Sequence, residues 1–343
     1  MNKEKIKIIC TLGPSSFKNS VLSQLKKEKI DIFRINLSHT KSSNIENTIK
    51  YLKKRKIQNI CIDTEGAQIR TTSIKKKILL KKKLKIKVYN DSNLSTKKSI
   101  HLYPKFDLLK LKKGTLIDIG FNSLKIKVLS KNLSNKYLIC SVEKQGMLES
   151  NKGVHINSNI KLSPLTEKDI YAISLAKKYK IKYFAISFVN SHKDIELVKD
   201  LTGNKSFIIS KIETKNAVLN LKKICKVSNA ILIDRGDLSR YIPIEKIPFA
   251  QEMIIKRSIK FDVPTYVATN LLETMIKESL PTRAESHDVY STLMQGSKGL
   301  VLAAETAIGS SPIECVKFLK RCINIFYLIK RRRMNYLFNS NKL

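Results

Sequence analysis

The chain has 343 residues, of which 42% are hydrophobic and 27% are charged. A chain of this length and composition can bury a large apolar core, which excludes a small scaffold that depends on disulfides or metal ions. No stretch approaches the roughly 18 uninterrupted apolar residues that span a bilayer, so the sequence predicts no membrane anchor.

The chain is strongly basic. Its 66 Lys and Arg residues against 28 Asp and Glu residues give a net charge of +38. A field of this size attracts nucleic acids and acidic membranes. However, the excess is mostly Lys, it is spread over the whole chain, and it lacks the interleaved aromatic residues on which bases stack. The pattern therefore favours a compositional bias over a nucleic-acid partner.

The cysteines predict a reducing compartment. Six of them are scattered without a C-x-x-C pair or a His at metal-binding spacing, which is typical of free thiols. The N-terminal apolar run is short, ends at Gly13 and Pro14, and makes a poor signal peptide. We therefore expect a cytoplasmic protein whose mature form starts at Met1.

Short apolar, β-branched runs alternate with segments of helical pattern, as in βα units around a parallel sheet. Eight runs are candidate strands: residues 6–11, 30–35, 59–63, 183–188, 207–211, 230–234, 265–269 and 299–303. Capping signals mark helix starts between them, such as Thr282 with Glu285 and Thr166 with Asp169. Eight strands with helices between them predict an α/β fold, a (β/α)8 TIM barrel.

One connection departs from this alternation of strands and helices. After the third strand, residues 67–153 contain many short alternating runs and no convincing helix, which predicts a small inserted β-barrel domain. The barrel would then be discontinuous, formed by residues 1–66 and 154–330. Residues 331–343 would form a basic tail, which leaves no room for a C-terminal regulatory domain.

The residues after the candidate strands are chemically distinctive, and in such barrels the strand ends carry the reactive groups. Glu213 and Asp237 follow neighbouring strands and offer the oxygen ligands that Mg²⁺ prefers. Arg34 and Lys211 suit an anionic, phosphorylated substrate. The set indicates phosphoryl transfer or enolate chemistry, with ordinary ion pairs at the barrel mouth as the alternative.

Several segments agree, in order, with one known family. They are KIICTLGP at 7–14, RINLSH at 34–39, ISKIE at 209–213, RGDL at 235–238, and VAT at 267–269 through Met275, followed by PTRAE at 281–285. Together they resemble the pyruvate kinase family, and the match runs from Lys7 to about Lys317. The resemblance implies phosphoryl transfer from phosphoenolpyruvate to ADP, giving pyruvate and ATP in glycolysis. It also implies that the inserted domain is a lid that excludes water.

The resemblance implies a role for each matching position. Arg34 would hold the substrate phosphate, Lys211 would neutralise charge on the phosphoryl group and the enolate, and Thr269 would order proton delivery. Backbone amides around Gly236 and Asp237 would receive the substrate carboxylate. The other implied ligands are Glu213 and Asp237 for Mg²⁺ or Mn²⁺, Asn36, Ser38, Asp63 and Thr64 for K⁺, and Asn36, His39, Arg70 and Lys168 for the nucleotide.

Some positions depart from the family pattern. Glu65 stands where a Lys is usual, Ala67 replaces a Pro, and Gln68 replaces a Glu; the lost charge at Gln68 predicts weakened or altered K⁺ dependence. Asp234 replaces a small residue, and this extra carboxylate would either alter metal affinity or face solvent. Without a C-terminal domain, we expect no control by sugar phosphates and a homo-oligomer, a dimer through the barrel.

Two other functions stay open on the sequence alone. The altered nucleotide-side residues are compatible with an enzyme of phosphoenolpyruvate or pyruvate enolate that uses a different acceptor. The +38 charge is compatible with a non-catalytic basic binding protein. The intact set of Arg34, Lys211, Glu213, Asp237 and Thr269 favours catalysis over that second alternative.

Overall fold

The computed structural model describes residues 5–120, 123–158, 160–203 and 205–331 of the chain. The described residues form two compact units, one made of those up to Glu65 and from Glu167 onward, the other of Gly66–Thr166. Most of the predicted basic tail, from residue 332 on, lies outside the described residues. Within the described part of the chain, no helix has the length and apolar character needed to cross a membrane.

The larger unit is a closed barrel of eight parallel strands, which confirms the predicted fold. The strands, numbered here from first to eighth, are Lys7–Leu12, Ile32–Asn36, Ile60–Asp63, Tyr183–Ile186, Phe207–Ile212, Ala230–Asp234, Thr265–Ala268 and Gly299–Leu302. Each neighbours the next in chain order, and the eighth pairs with the first, with Lys7 opposite Gly299. All predicted strand ends lie within two residues of the observed ones.

The barrel interior is filled with side chains. Ile9, Ile32, Ile209 and Val301 are buried there, and the ring of Tyr266 is fully buried among them. Gly299 makes room for that ring, because a Cβ at this position would lie 2.5 Å from Tyr266 Cδ1. The interior is thus a packed core that fixes the strands and, through them, the groups at their ends.

Helices connect the barrel strands and follow the last of them. They are Asn19–Lys27, Ser42–Lys54, Glu167–Lys178, His192–Thr202, Lys215–Leu219, Leu221–Val227, Arg235–Leu238, Ile247–Ile259, Arg283–Met294, Ala304–Ala307 and Pro312–Arg331, with 3-10 turns at Leu37–His39, Ile244–Lys246 and Glu273–Ile276. The predicted capping box is present at Thr282, whose Oγ1 accepts from the Glu285 amide while Glu285 Oε2 accepts from the Thr282 amide at 2.7 Å. Asp169 Oδ1 accepts from the Glu65 amide, at 2.7 Å.

The smaller unit is built from short, mostly antiparallel strands. They are Arg70–Thr71, Ile78–Leu80, Lys85–Tyr89, Ser99–Tyr103, Leu116–Ile119, Leu124–Asn132, Tyr137–Lys144, Gly146–Leu148 and Val154–Ile156. Ile86 and Val88 are buried while Lys85 and Lys87 are exposed, so the alternating pattern gives one apolar and one solvated face. Val154–Ile156 pairs with Leu116–Ile119 and belongs to this unit, beyond the predicted boundary at 153.

Candidate active site

Lys211 is the centre of the charged groups at the carboxyl ends of the barrel strands. It lies near the end of the fifth strand, is 4% exposed, and donates to Ser187 Oγ at 3.0 Å. Its Nζ lies 2.8 Å from Glu213 Oε1, 3.4 Å from Asp63 Oδ1 and 3.5 Å from Asp234 Oδ2. Burial works against the charge of Lys211, but these three carboxylates outweigh it and raise its pKa. The side chain therefore carries a fixed positive charge in a buried site.

Arg34 places a second cation beside this cluster. It is 3% exposed, and its Nη1 lies 3.2 Å from Asp63 Oδ2, an ion pair without a well-directed hydrogen bond. Its Nε donates to Thr11 Oγ1 at 2.9 Å, and that hydroxyl donates to the Leu302 carbonyl. The first, second and eighth strands thus hold the guanidinium group in one direction. A rigid guanidinium in this setting suits a phosphate group.

Glu213 is fixed from two sides. It is fully buried, and its Oε2 accepts from the Phe188 amide at 2.6 Å while Oε1 faces Lys211. Phe188 has a φ of 53°, a left-handed conformation that costs about 1–3 kcal/mol for a bulky residue. Burial raises the pKa of Glu213 to about 8, although the Lys211 ammonium opposes this shift. The backbone strain at Phe188, held by surrounding contacts, is typical of functional sites.

The predicted divalent-metal ligands lie together. Oxygens of Glu213 and Asp237 lie within 4.8 Å of each other, and a carboxylate oxygen of Asp234 lies within the same distance of both. Three carboxylates at the ends of the fifth and sixth strands form a hard-oxygen donor set of the kind Mg²⁺ and Mn²⁺ prefer. The residues present therefore fit a divalent cation, and Asp234 adds a group that the sequence did not assign to the metal.

The predicted K⁺ ligands occupy neighbouring strand ends. Asn36 and Asp63 are paired in register across the second and third strands, and Asn36 Oδ1 accepts from the Ser38 amide at 2.9 Å. Thr64 Oγ1 accepts from the Ser187 amide at 3.0 Å. These hydroxyl, amide and carboxylate oxygens suit a hard cation, and a K⁺ ion here stays a prediction.

Thr269 lies directly after the seventh strand in a strained conformation. Its φ is 77°, unusual for a β-branched residue, and its Oγ1 donates to Asp234 Oδ1 at 2.6 Å. Arg235 Nε donates to the Thr269 carbonyl oxygen at 3.0 Å. Gly236 packs against the methyl group of Thr269, since a Cβ on Gly236 would lie 2.9 Å from Thr269 Cγ2. Burial alone would raise the pKa of Asp234. The Lys211 ammonium and the Thr269 hydrogen bond outweigh burial, so the net effect is a lowered pKa.

Two of the predicted nucleotide ligands, His39 and Lys168, belong to the barrel unit, and Arg70 belongs to the smaller unit. His39 is exposed on the turn Leu37–His39. Lys168 Nζ donates to the Leu37 carbonyl at 2.6 Å and to Glu65 Oε1 at 2.9 Å, so a buried glutamate partly compensates its charge. Arg70 begins the first strand of the smaller unit. The structure thus brings Lys168 and the turn of His39 together within the barrel unit.

Ser187 is a site residue that the sequence did not single out. It follows the fourth strand and donates to Asp63 Oδ1 at 3.2 Å while it accepts from Lys211. Its amide binds Thr64 Oγ1. The sequence missed Ser187 because the predicted fourth strand, 183–188, runs past this residue, whereas the observed strand ends at Ile186 and places Ser187 directly after it.

The fold and this cluster define a class: a (β/α)8 barrel whose strand ends gather buried cations and carboxylates, an arrangement that suits an anionic substrate. The model of the family "Pyruvate kinase, barrel domain" matches residues 3–316. The chain belongs to the pyruvate kinase family, which confirms the resemblance seen in the sequence.

Curated relatives agree with this assignment. A pyruvate kinase of Borreliella burgdorferi is 32% identical over 91% of this chain and 66% of its own length. One of Thermotoga maritima is 32% identical over 92% of this chain and 69% of its own length. One of Methanocaldococcus jannaschii is 31% identical, covering 94% and 69%. The chain therefore spans about two thirds of the length of the curated relatives that it matches.

Proposed function

We propose that the chain catalyses phosphoryl transfer from phosphoenolpyruvate to ADP, giving pyruvate and ATP, as a glycolytic pyruvate kinase. Membership of a family of phosphotransferases supports this function. The observation that carries it is the buried Lys211 ammonium, which lies within 3.5 Å of carboxylate oxygens of Asp63, Glu213 and Asp234. Phosphoryl transfer depends on positioning and charge neutralisation more than on covalent participation, and this cluster supplies both.

Each residue has a distinct task in this reaction. Arg34 holds the phosphate of phosphoenolpyruvate, and Lys211 neutralises charge on the phosphoryl group as its bond to the enolate oxygen breaks. A new bond forms between phosphorus and a terminal oxygen of ADP. Backbone amides around Gly236 and Asp237 bind the substrate carboxylate. Thr269 then orders delivery of a proton to the enolate methylene carbon, which gives pyruvate.

Metal ions belong to this proposal. Glu213 and Asp237 would hold Mg²⁺ or Mn²⁺, which supplies Lewis-acid neutralisation of phosphate oxygens when bound. Asn36, Ser38, Asp63 and Thr64 would hold K⁺. We expect weakened or altered K⁺ dependence because Gln68 lacks the charge of the glutamate usual at its position.

A coupled assay of pyruvate formation tests the proposal. Wild-type protein with phosphoenolpyruvate, ADP and Mg²⁺ should turn over, with and without K⁺. Lys211→Met should lower kcat by about 100- to 1,000-fold, because it removes a buried charge from the developing transition state. Lys222→Met, at an exposed position of the helix Leu221–Val227, is the matched control. Absence of turnover in folded wild-type protein would contradict the function.

A second candidate is an enzyme of the same enolate with a different phosphoryl acceptor. The ion pair of Lys168 with the buried Glu65 favours it, since it reduces the positive charge available to nucleotide phosphates. Phosphoenolpyruvate turnover measured with ADP and with other acceptors in parallel separates the two. Turnover that another acceptor supports and ADP does not would establish the second candidate.

We further propose a cytoplasmic homodimer formed through the barrel. The free cysteines, five of them buried, suit a reducing compartment. Ile244, in the turn before the helix Ile247–Ile259, is 78% exposed, and Phe249, in the first turn of that helix, is 72% exposed. These two apolar side chains support a contact between barrels. Sedimentation of wild-type protein and of Phe249→Ser measures this: the variant should shift toward monomer.

A further inference from the structure

Asp234 connects two groups with different proposed tasks. It ends the sixth strand, its side chain is 14% exposed, and its Oδ1 accepts a 2.6 Å hydrogen bond from Thr269 Oγ1. Its Oδ2 lies 3.5 Å from Lys211 Nζ. One carboxylate thus contacts both the ammonium that neutralises charge and the hydroxyl that orders proton delivery.

The rest of Thr269 is held by other residues. Arg235 Nε donates to its carbonyl oxygen, and Asp288 in turn accepts from Arg235 Nη1 at 2.8 Å. Gly236 provides the space for its methyl group. Because these contacts fix the backbone and the methyl group, the direction of the hydroxyl proton is what Asp234 controls.

The direction of that proton matters chemically. A threonine hydroxyl has one donor proton and two acceptor lone pairs, whereas an ionised aspartate only accepts. Thr269 gives its proton to Asp234, so its lone pairs are left to accept a hydrogen bond from a water molecule. A water held in this way has its second proton available for the enolate.

We infer that Asp234 is a positioning residue for proton delivery, which orients the Thr269 hydroxyl as a hydrogen-bond acceptor for the water that protonates the enolate. The inference rests on the proposed function. In the step, a C–H bond forms at the enolate methylene carbon from its C=C electron pair, and an O–H bond of the water breaks. The hydroxide left behind takes a proton from solvent.

The competing role for Asp234 is that of a third metal ligand, since its oxygens lie near those of Glu213 and Asp237. Both Asp234 oxygens already face partners within the barrel, Oδ1 the Thr269 hydroxyl and Oδ2 the Lys211 ammonium. A metal ion would have to share one of these oxygens with its present partner, through the oxygen's second lone pair. The existing contacts therefore favour the positioning role.

The test separates proton delivery from phosphoryl transfer in the full-length chain. Exchange of pyruvate methyl protons with D₂O, followed by NMR with Mg²⁺ and ATP, reports proton delivery. Single-turnover ATP formation from phosphoenolpyruvate and ADP reports phosphoryl transfer. Asp234→Ala should slow exchange about tenfold or more, because a charge-assisted hydrogen bond is lost. ATP formation should change much less, and Asp234→Asn, which keeps an acceptor oxygen, should restore part of the exchange.

A double-mutant cycle supplies the decisive comparison. In a Thr269→Val background, Asp234→Ala should slow exchange no further, because the hydroxyl that it orients is gone. Asp107→Ala, at an exposed position of the smaller unit, is the control and should change neither step. Thermal melting of each variant verifies that it is folded.

Two results would overturn the inference. One is an additive loss of exchange in both backgrounds; the other is a weakened Mn²⁺ affinity, measured by electron paramagnetic resonance, with equal losses in both steps, which identifies a metal ligand. Wild-type protein that exchanges pyruvate protons but forms no ATP contradicts the proposed function alone, and the exchange test still applies. Wild-type protein that does neither overturns both.

Discussion

The barrel mouth has two sides that are built differently. On the proposed phosphoryl side, at the ends of the fifth to seventh strands, Lys211, Glu213, Asp234 and Thr269 form one connected and largely buried network. On the proposed nucleotide side, at the turn Leu37–His39 and the start of the helix Glu167–Lys178, His39 is exposed, and Lys168, with a side chain 18% exposed, pairs with the buried Glu65.

The difference shows where tolerance to change lies. Removing one member of a buried charge network leaves an uncompensated charge, whereas an exposed group such as His39 is more easily replaced. The phosphoryl side retains every residue that the family resemblance implied for it, and it gains Asp234. The nucleotide side carries Glu65 in place of the usual Lys. We therefore expect substitutions on the phosphoryl side to change kcat, and those on the nucleotide side to change KM for the acceptor.

After the substitutions of Lys211 and Asp234 described above, the largest effect on kcat is expected for Gly236→Ala, on the phosphoryl side. Its new Cβ would lie 2.9 Å from Thr269 Cγ2, and Thr269 cannot turn away without breaking its hydrogen bond to Asp234. We expect kcat to fall about 100-fold, the cost of displacing a reactive group by about 1 Å. Steady-state kinetics measures this.

Gly203→Ala is the control for that substitution, because no heavy atom lies within 4 Å of its added Cβ. It introduces backbone strain at a φ of 88° but no clash. An unchanged kcat in Gly236→Ala would show that Thr269 does not need its present position.

A smaller effect, on KM, is expected for Glu65→Gln on the nucleotide side. The substitution keeps an oxygen that accepts from Lys168 Nζ but removes the compensating charge, so Lys168 gains attraction for a phosphate group. We expect KM for ADP to fall about threefold to tenfold with little change in kcat. Glu314→Gln, which removes an exposed partner of Lys317, should leave KM unchanged. A raised KM would mean that Glu65 itself helps to bind the nucleotide.

The sequence predicted the barrel because each strand is a short buried apolar run. It also singled out most of the charged residues that the structure brings together at the strand ends, since the rule that strand ends carry the chemistry depends only on strand positions. The hydrogen bond between Asp234 and Thr269 was not predictable, because it depends on side-chain directions and on a left-handed φ at Thr269. Instead, the extra carboxylate was expected to alter metal affinity or to face solvent.

The extent of the inserted unit shows a second kind of limit. Val154–Ile156 belongs to it through pairing with Leu116–Ile119, a strand more than thirty residues earlier. A run of three residues carries no local signal for a partner at that distance, because register is set by tertiary packing. Likewise, the ion pair of Glu65 with Lys168 joins residues 103 positions apart.

The smallest effect is expected for Glu46→Gln, which probes the packing beneath the nucleotide side. Glu46 Oε1 accepts from Lys178 Nζ at 2.9 Å and from Tyr179 Oη at 2.7 Å, linking the helix Ser42–Lys54 to the end of the helix Glu167–Lys178. These hydrogen bonds lower the pKa of Glu46 from 4.5 to about 2. A carboxylate whose pKa is lower in the folded state stabilises the fold above its unfolded pKa, and this contribution is lost as pH falls toward the folded pKa.

Urea unfolding across a pH series measures this contribution. The midpoint of Glu46→Gln should lie slightly below that of wild type at every pH above about 5, and the gap should close as pH falls from 4.5 toward 2. Glu196→Gln, at an exposed position on the helix His192–Thr202, controls for the loss of one negative charge from a basic protein. A gap that widens in acid would contradict the assignment. A gap that closes would show that the contact between these two helices depends on the ionised Glu46, a pH-sensitive pair unlike the buried network at the barrel mouth.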